Sequence, residues 1–473
     1  MNFVVIVSDT FRRDHLGCYG NDWIRTPNID RLASESVVFD NAYCGSFPTV
    51  PNRAELFTGR YVFTYYDWSP LPKDEVVLSQ VLGKAGYTTM LIADTPHILN
   101  DGYNFQRGFS GWDWVRGQEN DRYITDPIKV KLPCSPEKLR SPYGTVVQYL
   151  RNVSRRTCEA DYFAPQTMSR ACDWLERNRS TDKFLLYVDT FDPHEPWDPP
   201  RWYVDLYDPG YDGEEVIYPA YDYNNYMTPE ELRHARALYA AEATMVDRWV
   251  GKLLARIQDL GLMDDTTVIF TTDHGFYLGE HNLIGKCIVR ENVLQATPLY
   301  SELAAIPLIV RIPGVEPCRI GGLVQPTDIM PTIIALAGAQ DPGTMHGRSL
   351  LPLIKGEAES IRQIAISSWA ITQGVSSGRR STICDGRWAL IYGGRAEGHG
   401  AESTPVVDSV RRSEQPYMPG IQPELYDLTR DPRQERNLFD AERDVAIRLH
   451  RSYVEQLKAV GTPEKYLRPR LVL

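Results

Sequence analysis

The sequence has no basic run and no excess of positive charge. It carries 51 Lys and Arg against 62 Asp and Glu, which gives a formal net charge of -11. Proteins that bind nucleic acids need clustered Lys and Arg, because these side chains neutralise the backbone phosphates. The acidic balance therefore predicts that nucleic acid is not a partner of this chain.

Long apolar runs are also missing. The apolar run near the start of the chain, residues 2–7, is shorter than a signal-peptide core and far shorter than the roughly 20 residues of a membrane span. We interpret it as the first strand of the fold. We therefore expect no membrane partner and a cytoplasmic location.

The cysteines show neither Cys-x-x-Cys pairs nor the regular spacing of a disulfide framework. Free thiols are the simpler interpretation. The eight cysteines are Cys18, Cys44, Cys134, Cys158, Cys172, Cys287, Cys318 and Cys384.

The composition is typical of a globular protein, and strand and helix patterns alternate along the sequence. With 42% hydrophobic and 24% charged residues, the chain of 473 residues can bury a large core. Helical patterns, the longest over residues 229–260, separate the apolar strand-like runs. These runs cover residues 4–7, 88–93, 184–189, 267–272 and 308–311. The alternation predicts an α/β fold with a large, mostly parallel sheet sandwiched by helices.

Composition also changes along the chain. We predict a catalytic domain over residues 1–365 and a small antiparallel α+β subdomain over residues 366–473, where short strand patterns such as residues 388–392 appear. Residues 116–162 are polar, irregular and rich in proline, which indicates an insertion over or beside the site. The apolar tail, residues 466–473, suits an arm that packs on a neighbouring copy, so we expect a homo-oligomer.

Two strand-like runs end in candidate metal ligands. Asp9 follows the first run, and Asp273 and His274 follow the run over residues 267–272. Because the carboxyl ends of parallel strands meet at one edge of a sheet, these side chains could converge. Carboxylate and imidazole ligands without thiolate suit Mn, Ca, Mg or Zn. The alternative is that both aspartates are only helix N-caps.

The stretch FPTVPNRAELFTGR, residues 47–60, carries a candidate nucleophile. It resembles the sulfatase signature, Cys or Ser-x-Pro-x-Arg followed by a short helix ending in Thr-Gly, with Thr49 at the nucleophile position. Sulfatases oxidise the Cys or Ser to formylglycine, and threonine has no route to that aldehyde, so we expect no formylglycine. A threonine hydroxyl can attack an ester directly when a metal lowers its pKa. Cys44 is excluded as the modified residue, because the Pro and Arg of the motif do not follow it.

The resemblance to the sulfatase family of the alkaline-phosphatase-like superfamily covers nearly the whole chain. It rests on several motifs that occur in the same order as in the family. They are DHLGCYG (14–20), TPNIDRLA (26–33), GYTT (86–89), FDPHEPW (191–197), LGEHNLIGK (278–286), ELYDL (424–428), DP (431–432) and NL (437–438).

This resemblance implies that Asp9, Thr49, Asp273 and His274 hold one divalent metal ion. Most sulfatases have a second Asp where Thr10 stands and an Asn where His274 stands, and they bind calcium. The combination found here instead resembles the phosphonate monoester and phosphodiester hydrolases of the family, which typically use manganese. We therefore favour manganese, with calcium, zinc and magnesium as alternatives.

Displacement at phosphorus or sulfur builds negative charge on the surrounding oxygens, so cations and hydrogen-bond donors must converge there. Three residues of the family motifs suit this task. Arg53 can support the nucleophile and a non-bridging oxygen, and Lys286 can bind another such oxygen. His194 can donate a proton to the leaving group as a general acid.

Three more residues are candidate substrate contacts. His97 occupies the region where sulfatases carry a Lys-x-His pair, but the lysine is absent. His281 is a substrate contact, a support for another site residue or a plain loop histidine. Tyr66, which follows the nucleophile helix, lines the substrate pocket or only packs.

These features predict a metal-dependent hydrolase that cleaves small anionic phosphodiesters or phosphonate monoesters through a phospho-threonine at Thr49. A phospho-threonine can be hydrolysed by metal-assisted attack at phosphorus, whereas a threonine sulfate would require attack at a crowded sulfur. One alternative is an arylsulfatase-like sulfuric ester hydrolase without formylglycine. Another is a catalytically weak, anion-binding pseudoenzyme, suggested by the altered nucleophile and the missing lysine. A transferase is less favoured, since such relatives carry transmembrane helices.

Overall fold

An eight-stranded sheet forms the centre of the computed structural model, which describes residues 1–291, 293–395 and 422–473. The strands of the chain are β1 (Asn2–Ser8), β2 (Val37–Ala42), β3 (Ser46–Phe47), β4 (Thr88–Ala93), β5 (Gly111–Trp114), β6 (Phe184–Thr190), β7 (Asp222–Tyr223), β8 (Thr266–Thr271), β9 (Tyr277–Leu278), β10 (Leu283–Gly285), β11 (Cys287–Arg290), β12 (Val293–Ala296), β13 (Leu308–Arg311), β14 (Cys318–Val324), β15 (Ala365–Trp369), β16 (Ser381–Cys384), β17 (Trp388–Tyr392) and β18 (Glu424–Asp427).

Helices pack around this sheet and around a second, smaller sheet in the described residues. They are α1 (Pro27–Ser34), α2 (Thr49–Thr58), α3 (Leu78–Lys84), α4 (Pro96–Leu99), α5 (Val147–Asn152), α6 (Phe163–Asn178), α7 (Arg201–Val204), α8 (Pro229–Asp259), α9 (Ser301–Ala304), α10 (Ile329–Ala337), α11 (Leu351–Ile354), α12 (Arg443–Ala459) and α13 (Glu464–Leu467). One group of packed helices comprises α1, α6, α7 and α8, and another comprises α2, α3 and α10.

The large sheet has the strand order β14-β2-β13-β8-β1-β6-β4-β5. The strands from β8 to β5 pair in parallel, and β13 is antiparallel to both of its neighbours. All residues of β1 are buried, which explains its unbroken apolar, β-branched sequence, because a central parallel strand is covered on both faces. The predicted mostly parallel sheet and all five predicted strand-like runs are confirmed.

The register of the central strands determines where the site can form. Val7 of β1 pairs with Asp189 of β6 on one side and with Thr271 of β8 on the other. The three strands run in parallel, so their carboxyl ends lie side by side. Asp9, Asp189 and Asp273 therefore stand at the same edge of the sheet.

The predicted long helix is α8. Thr228 begins it with a capping box, in which the Thr228 hydroxyl accepts from Glu231 N and the Glu231 carboxylate accepts from Thr228 N. Pro229 occupies the first turn, where its missing N–H has no cost. The buried side of α8 packs against α1, α6 and α7.

A second sheet has the strand order β18-β17-β16-β15-β3 and is antiparallel except where β15 meets β3. Helix α12 packs against β16 and β17. The small antiparallel C-terminal sheet is thus confirmed, with β3 contributed by the N-terminal half of the chain. The exact division at residue 365 stays a prediction.

The tail that suggested an arm to a neighbouring copy packs on its own chain. Tyr392 donates to the Val472 carbonyl, and the Arg470 carbonyl lies 2.9 Å from His450 Nε2. Homo-oligomer formation stays a prediction. In the described ranges, no helix combines the length and apolar character needed to cross a bilayer.

We expect Asp247 to be important for stability, because this buried side chain of α8 accepts the backbone N–H groups of Asn28 and Ile29 at the start of α1. Asp247→Ala leaves those donors without an acceptor and should lower the free energy of unfolding by about 1–3 kcal/mol in denaturant titrations. Asp259→Ala, at an exposed position of the same helix, should change it by less than about 0.5 kcal/mol. Equal losses in both variants would contradict this assignment.

Candidate active site

Asp9, Asp273 and His274 form one cluster at the carboxyl edge of the large sheet. One potential ligand atom from each lies within 4.8 Å of the others, and all three residues are fully buried. The two segments that were predicted to converge after β1 and β8 therefore do so. The backbone N–H of Thr10, the next residue after Asp9, donates to Asp273 Oδ1 at 3.0 Å and ties the two segments together.

The donor set of this cluster fits a divalent cation. Both carboxylate oxygens of Asp9 are buried without a hydrogen bond, and the Arg53 guanidinium that lies 2.8 Å from Oδ2 is shared with Asp189 and Asp273, so a further cation would be favourable there. His274 Nδ1 lies 2.9 Å from the Gly275 carbonyl oxygen, so Nδ1 donates there and Nε2 keeps its lone pair. Two carboxylates and one imidazole suit a hard or borderline metal ion.

The ionisation of the cluster follows from burial and from the closeness of its charges. Burial, and then the Asp273 carboxylate, raise the pKa of Asp9 well above its usual range. Burial also acts to raise the pKa of Asp273, but His274, Arg53 and Lys286 together hold it below its usual value. Burial lowers the pKa of His274 to about 3, so its imidazole is neutral, the form that binds metals.

Thr49 is the first residue of α2 and points its hydroxyl at this cluster. Lys286 Nζ lies 3.2 Å from Thr49 Oγ1, and His274 Nε2 lies 3.4 Å from it. The N-terminus of a helix favours negative charge, which an ionised hydroxyl would carry. The Thr-Gly end of the motif also has a structural role, because Gly59 ends α2 with a φ of 66°.

Arg53 stands one helical turn after Thr49 and therefore faces the same strand ends. Its guanidinium makes a two-pronged contact with Asp189, from Nε to Oδ2 at 3.1 Å and from Nη2 to Oδ1 at 2.8 Å. Nη1 lies 2.8 Å from Asp9 Oδ2 and also contacts Asp273. Arg53 thus balances three carboxylates, and its predicted contacts with the nucleophile and a non-bridging oxygen stay predictions.

Lys286 and His194 face each other beside Thr49. Lys286 Nζ lies 3.0 Å from His194 Nε2, and both side chains are buried. Burial, and then the charges of Lys286 and Arg140, lower the pKa of His194 well below its usual range. The aromatic ring of Phe191 stacks on the imidazole, with the ring centres 3.9 Å apart.

His97 lies near this group and contacts a carboxylate. Its Nε2 is 2.8 Å from Glu119 Oε2, and its ring packs edge-on against Phe191. Glu119 comes from residues 116–162, the predicted insertion, and Arg140 of the same segment contacts both Glu119 and Glu195. The insertion therefore lies beside the site.

The structure does not bring His281 and Tyr66 to this centre. His281 has a φ of 54°, stacks on Tyr300 and lines a separate cavity of about 960 Å³ together with Arg12 and Glu302. Tyr66 donates to the Ser69 carbonyl and is part of the hydrophobic core. Their roles as substrate contacts have no geometric support and stay predictions.

Asp189, Glu195 and Arg140 were missed by the sequence reasoning. Asp189 carries the same signal as Asp9 and Asp273, since it ends an apolar strand-like run, and that pattern could have identified it. Arg140 stands 55 residues from Glu195 in an irregular segment, where no periodicity indicates which side chain will reach the site.

Comparisons with known proteins identify the family of this chain. The sulfatase family profile matches residues 1–339, and the profile of the N-sulphoglucosamine sulphohydrolase C-terminal region matches residues 294–392. An arylsulfatase of Clostridium perfringens is 26% identical over 404 residues, which cover 75% of this chain and 78% of that protein. The multifunctional alkaline phosphatase superfamily protein PehA of Trinickia caryophylli is 25% identical over 422 residues, covering 75% and 77%.

A solved structure of similar fold is the phosphonate monoester hydrolase of Agrobacterium radiobacter. It aligns with a TM-score of 0.72 and 21% identity, and the alignment covers 97% of this chain and 95% of that one. Since the sulfatase profile spans well over half of the sequence, and the shared fold carries the site at its sheet edge, this chain is a hydrolase of the sulfatase family, within the alkaline-phosphatase-like superfamily.

Proposed function

We propose that this protein is a metal-dependent hydrolase of phosphodiesters or phosphonate monoesters, in which Thr49 is the covalent nucleophile. The supporting observation is the position of the Thr49 hydroxyl, at the first residue of a helix and within 3.4 Å of both Lys286 Nζ and His274 Nε2. A hydroxyl so placed can be ionised and held for attack. A binding protein would have no need of this arrangement.

A divalent cation would be held by Asp9, Asp273, His274 and the Thr49 hydroxyl. When bound, it supplies a lower pKa for the hydroxyl and compensation for the charge on the transferred group. We favour manganese, because the ligands are hard oxygens with one imidazole, and calcium, zinc and magnesium are the alternatives. Arg53 keeps the ligand carboxylates in place through its contacts with them.

The release of the group transferred to Thr49 favours phosphorus esters over sulfate esters as substrates. Thr49 cannot become formylglycine, so the group transferred to it must leave by attack of water at the central atom. Attack at phosphorus is feasible when cations shield the charge on the oxygens. A threonine sulfate would require attack at a crowded sulfur, which would make its release slow.

The charges around the site support an ester with a single negative charge. Lys286 and His194 face the nucleophile, but the Glu119 carboxylate lies 2.8 Å from His97, and the lysine that would accompany this histidine in sulfatases is absent. In the free enzyme the lowered pKa of His194 keeps its imidazole neutral. A bound anion next to Nε2 would favour the charged form, which can then donate a proton to the leaving oxygen.

Sulfate ester hydrolysis is the second candidate. It is favoured by the sequence relatives, which include an arylsulfatase at 26% identity. Sulfate monoesters also carry one negative charge, so the pocket charge alone does not separate the two substrate classes.

A matched substrate panel tests the proposal. Purified enzyme with Mn²⁺ should hydrolyse a bis-aryl phosphate or an aryl phosphonate with kcat/KM at least about 10-fold above that for the sulfate of the same phenol, a difference of about 1.4 kcal/mol. A reversed order would favour the second candidate. Absence of turnover on all three esters by metal-loaded protein would favour an anion-binding pseudoenzyme.

Thr49→Ala should abolish turnover and leave folding nearly unchanged. Loss of a covalent nucleophile removes on the order of 10³-fold or more of the rate, whereas loss of one small side chain costs about 1 kcal/mol of stability. Thr49→Ser keeps the hydroxyl and should retain measurable activity. Thr58→Ala is the matched control on α2, because its hydroxyl donates to the Ala54 carbonyl and accepts from the Arg60 backbone N–H, and neither group belongs to the site.

Rates, melting temperatures and mass spectrometry of quenched reactions should be compared for these variants. A phosphoryl adduct is expected on the peptide that contains Thr49 in the parent enzyme and in Thr49→Ser. If Thr49→Ala kept wild-type turnover and the parent showed no adduct, the nucleophile would be water and not the Thr49 hydroxyl.

Asp9→Asn should weaken metal binding, since it removes one of two charged ligands. We expect at least about a 10-fold loss of Mn²⁺ affinity in equilibrium dialysis with metal analysis, and a smaller rise of melting temperature when Mn²⁺ is added. Asp247→Asn, a buried carboxylate on α8 outside the site, should bind the metal like the parent. Unchanged affinity in Asp9→Asn would show that the metal, if bound, lies elsewhere.

A further inference from the structure

Glu195 follows His194 directly and is fully buried, and its two carboxylate oxygens have different neighbours. Oε1 accepts from the Tyr221 hydroxyl and, at 2.9 Å, from Arg140 Nη2. Oε2 accepts no hydrogen bond and lies 3.1 Å from His194 Nδ1. One oxygen is thus anchored by the protein, and the other is directed at the imidazole.

The ring of His194 has a defined orientation in this environment. Nδ1 faces two acceptors, the Glu195 carbonyl at 2.7 Å and Glu195 Oε2, so Nδ1 carries hydrogen. Nε2 then faces Lys286 and, beyond it, Thr49. Stacking against Phe191 limits rotation of the ring. The imidazole therefore presents Nε2 to the place where an ester would react.

Arg140 brings the insertion into this arrangement. Its guanidinium lies over the rings of Tyr218 and Tyr221, with distances of 4.4 and 4.0 Å to the ring centres, and contacts both Glu119 and Glu195. Burial raises the pKa of Glu195, and the charge of Arg140 is the largest opposing influence. Arg140 thus favours the ionised carboxylate and also fixes its position.

We propose that Glu195 is a positioning residue for His194, and that Arg140, from residues 116–162, holds Glu195 for this role. The inference rests on the proposed function, in which His194 protonates the leaving group. As the bond from phosphorus to the leaving oxygen breaks, the Nε2–H bond of the imidazolium breaks and an O–H bond forms. The imidazole that remains is neutral, and it keeps the hydrogen on Nδ1, which is directed at Glu195. The carboxylate stabilises the imidazolium and directs Nε2, as buried acids do for other catalytic histidines.

The test is the dependence of rate on the leaving group. Glu195→Gln keeps the shape of the side chain and removes its charge. For aryl esters with poor leaving groups, such as phenol, kcat/KM should fall by about 10²-fold, the usual size of a general-acid effect. For good leaving groups, such as dinitrophenol, it should change by less than about 3-fold, because these need no proton. If Glu195 had a purely structural role, Glu195→Gln would lower kcat/KM by the same factor for all esters. That result would overturn the inference.

A matched control is available in the C-terminal sheet. Glu424 is also buried, and like Glu195 it accepts from tyrosine hydroxyls and from an arginine, here Tyr300, Tyr426 and Arg380. Glu424→Gln should leave the slope of rate against leaving-group pKa unchanged. A steeper slope in this control as well would overturn the specific role of Glu195.

Arg140 gives an independent test if Glu195→Gln folds poorly. Arg140→Gln should make the slope of rate against leaving-group pKa steeper, as Glu195→Gln does. Arg140→Lys keeps a charge and should give a slope between those of the parent and Arg140→Gln. If both variants lost the same factor of kcat/KM for every ester, Arg140 would only support the local fold.

His194→Ala separates failure of this inference from failure of the proposed function. If the loss of rate in His194→Ala is the same for all leaving groups, His194 is not the general acid, so that assignment and the positioning role of Glu195 both fail, while the substrate panel still tests the reaction class. If the loss is larger for poor leaving groups, adding Glu195→Gln to His194→Ala should cause little further loss, because the two residues act as a unit. Losses that simply multiply in the double variant would overturn the positioning role while leaving His194 as the acid.

Discussion

Three buried carboxylates stand together at one edge of the large sheet, and the rest of the site depends on balancing their charge. Asp9, Asp189 and Asp273 are all fully buried and meet a single guanidinium, that of Arg53. Removing one partner from such a buried group costs about 3–5 kcal/mol, because the remaining charge lacks compensation. One guanidinium is shared among three carboxylates, and the pKa of Asp9 is raised by burial and by Asp273. A bound divalent cation would favour the ionised form of Asp9, and the lone pair of His274 completes a place for it.

Thr49, the proposed nucleophile, is positioned from two directions. Helix α2 presents Thr49, Asn52 and Arg53 on one face, and Asn52 Nδ2 donates to the Asp273 carbonyl at 3.0 Å. Before the helix, β3 pairs with β15 of the second sheet, and the ring of Phe47 packs between Trp369 and His274, with centre distances of 4.6 and 4.7 Å. The C-terminal sheet therefore contributes to the active site indirectly, by holding the segment that leads to Thr49.

The strand ends could be predicted from the sequence because parallel strands concentrate their carboxyl termini at one edge, whatever the loops do. This argument placed Asp9, Asp273 and His274 together, and the same pattern in β6 would have added Asp189. Loop residues lack such a rule. His281 stands five positions before Lys286 in one motif, yet the chain turns between them and His281 contacts Tyr300 instead. The pairing of Arg140 with Glu195 depends on the path of an irregular segment, which local pattern does not encode.

The insertion adds charged side chains beside the histidines of the site. The strand ends and α2 supply the parts that any ester transfer needs, a hydroxyl, a cation site and a lysine. Residues 116–162 add Glu119 beside His97 and Arg140 beside Glu195, which follows His194 directly, and they do not approach Thr49 in the described contacts. Because the carboxylate of Glu119 would repel a dianionic group, under the proposed function we expect a change of this segment alone to shift the preferred substrate charge while β1, β8 and α2 stay as they are.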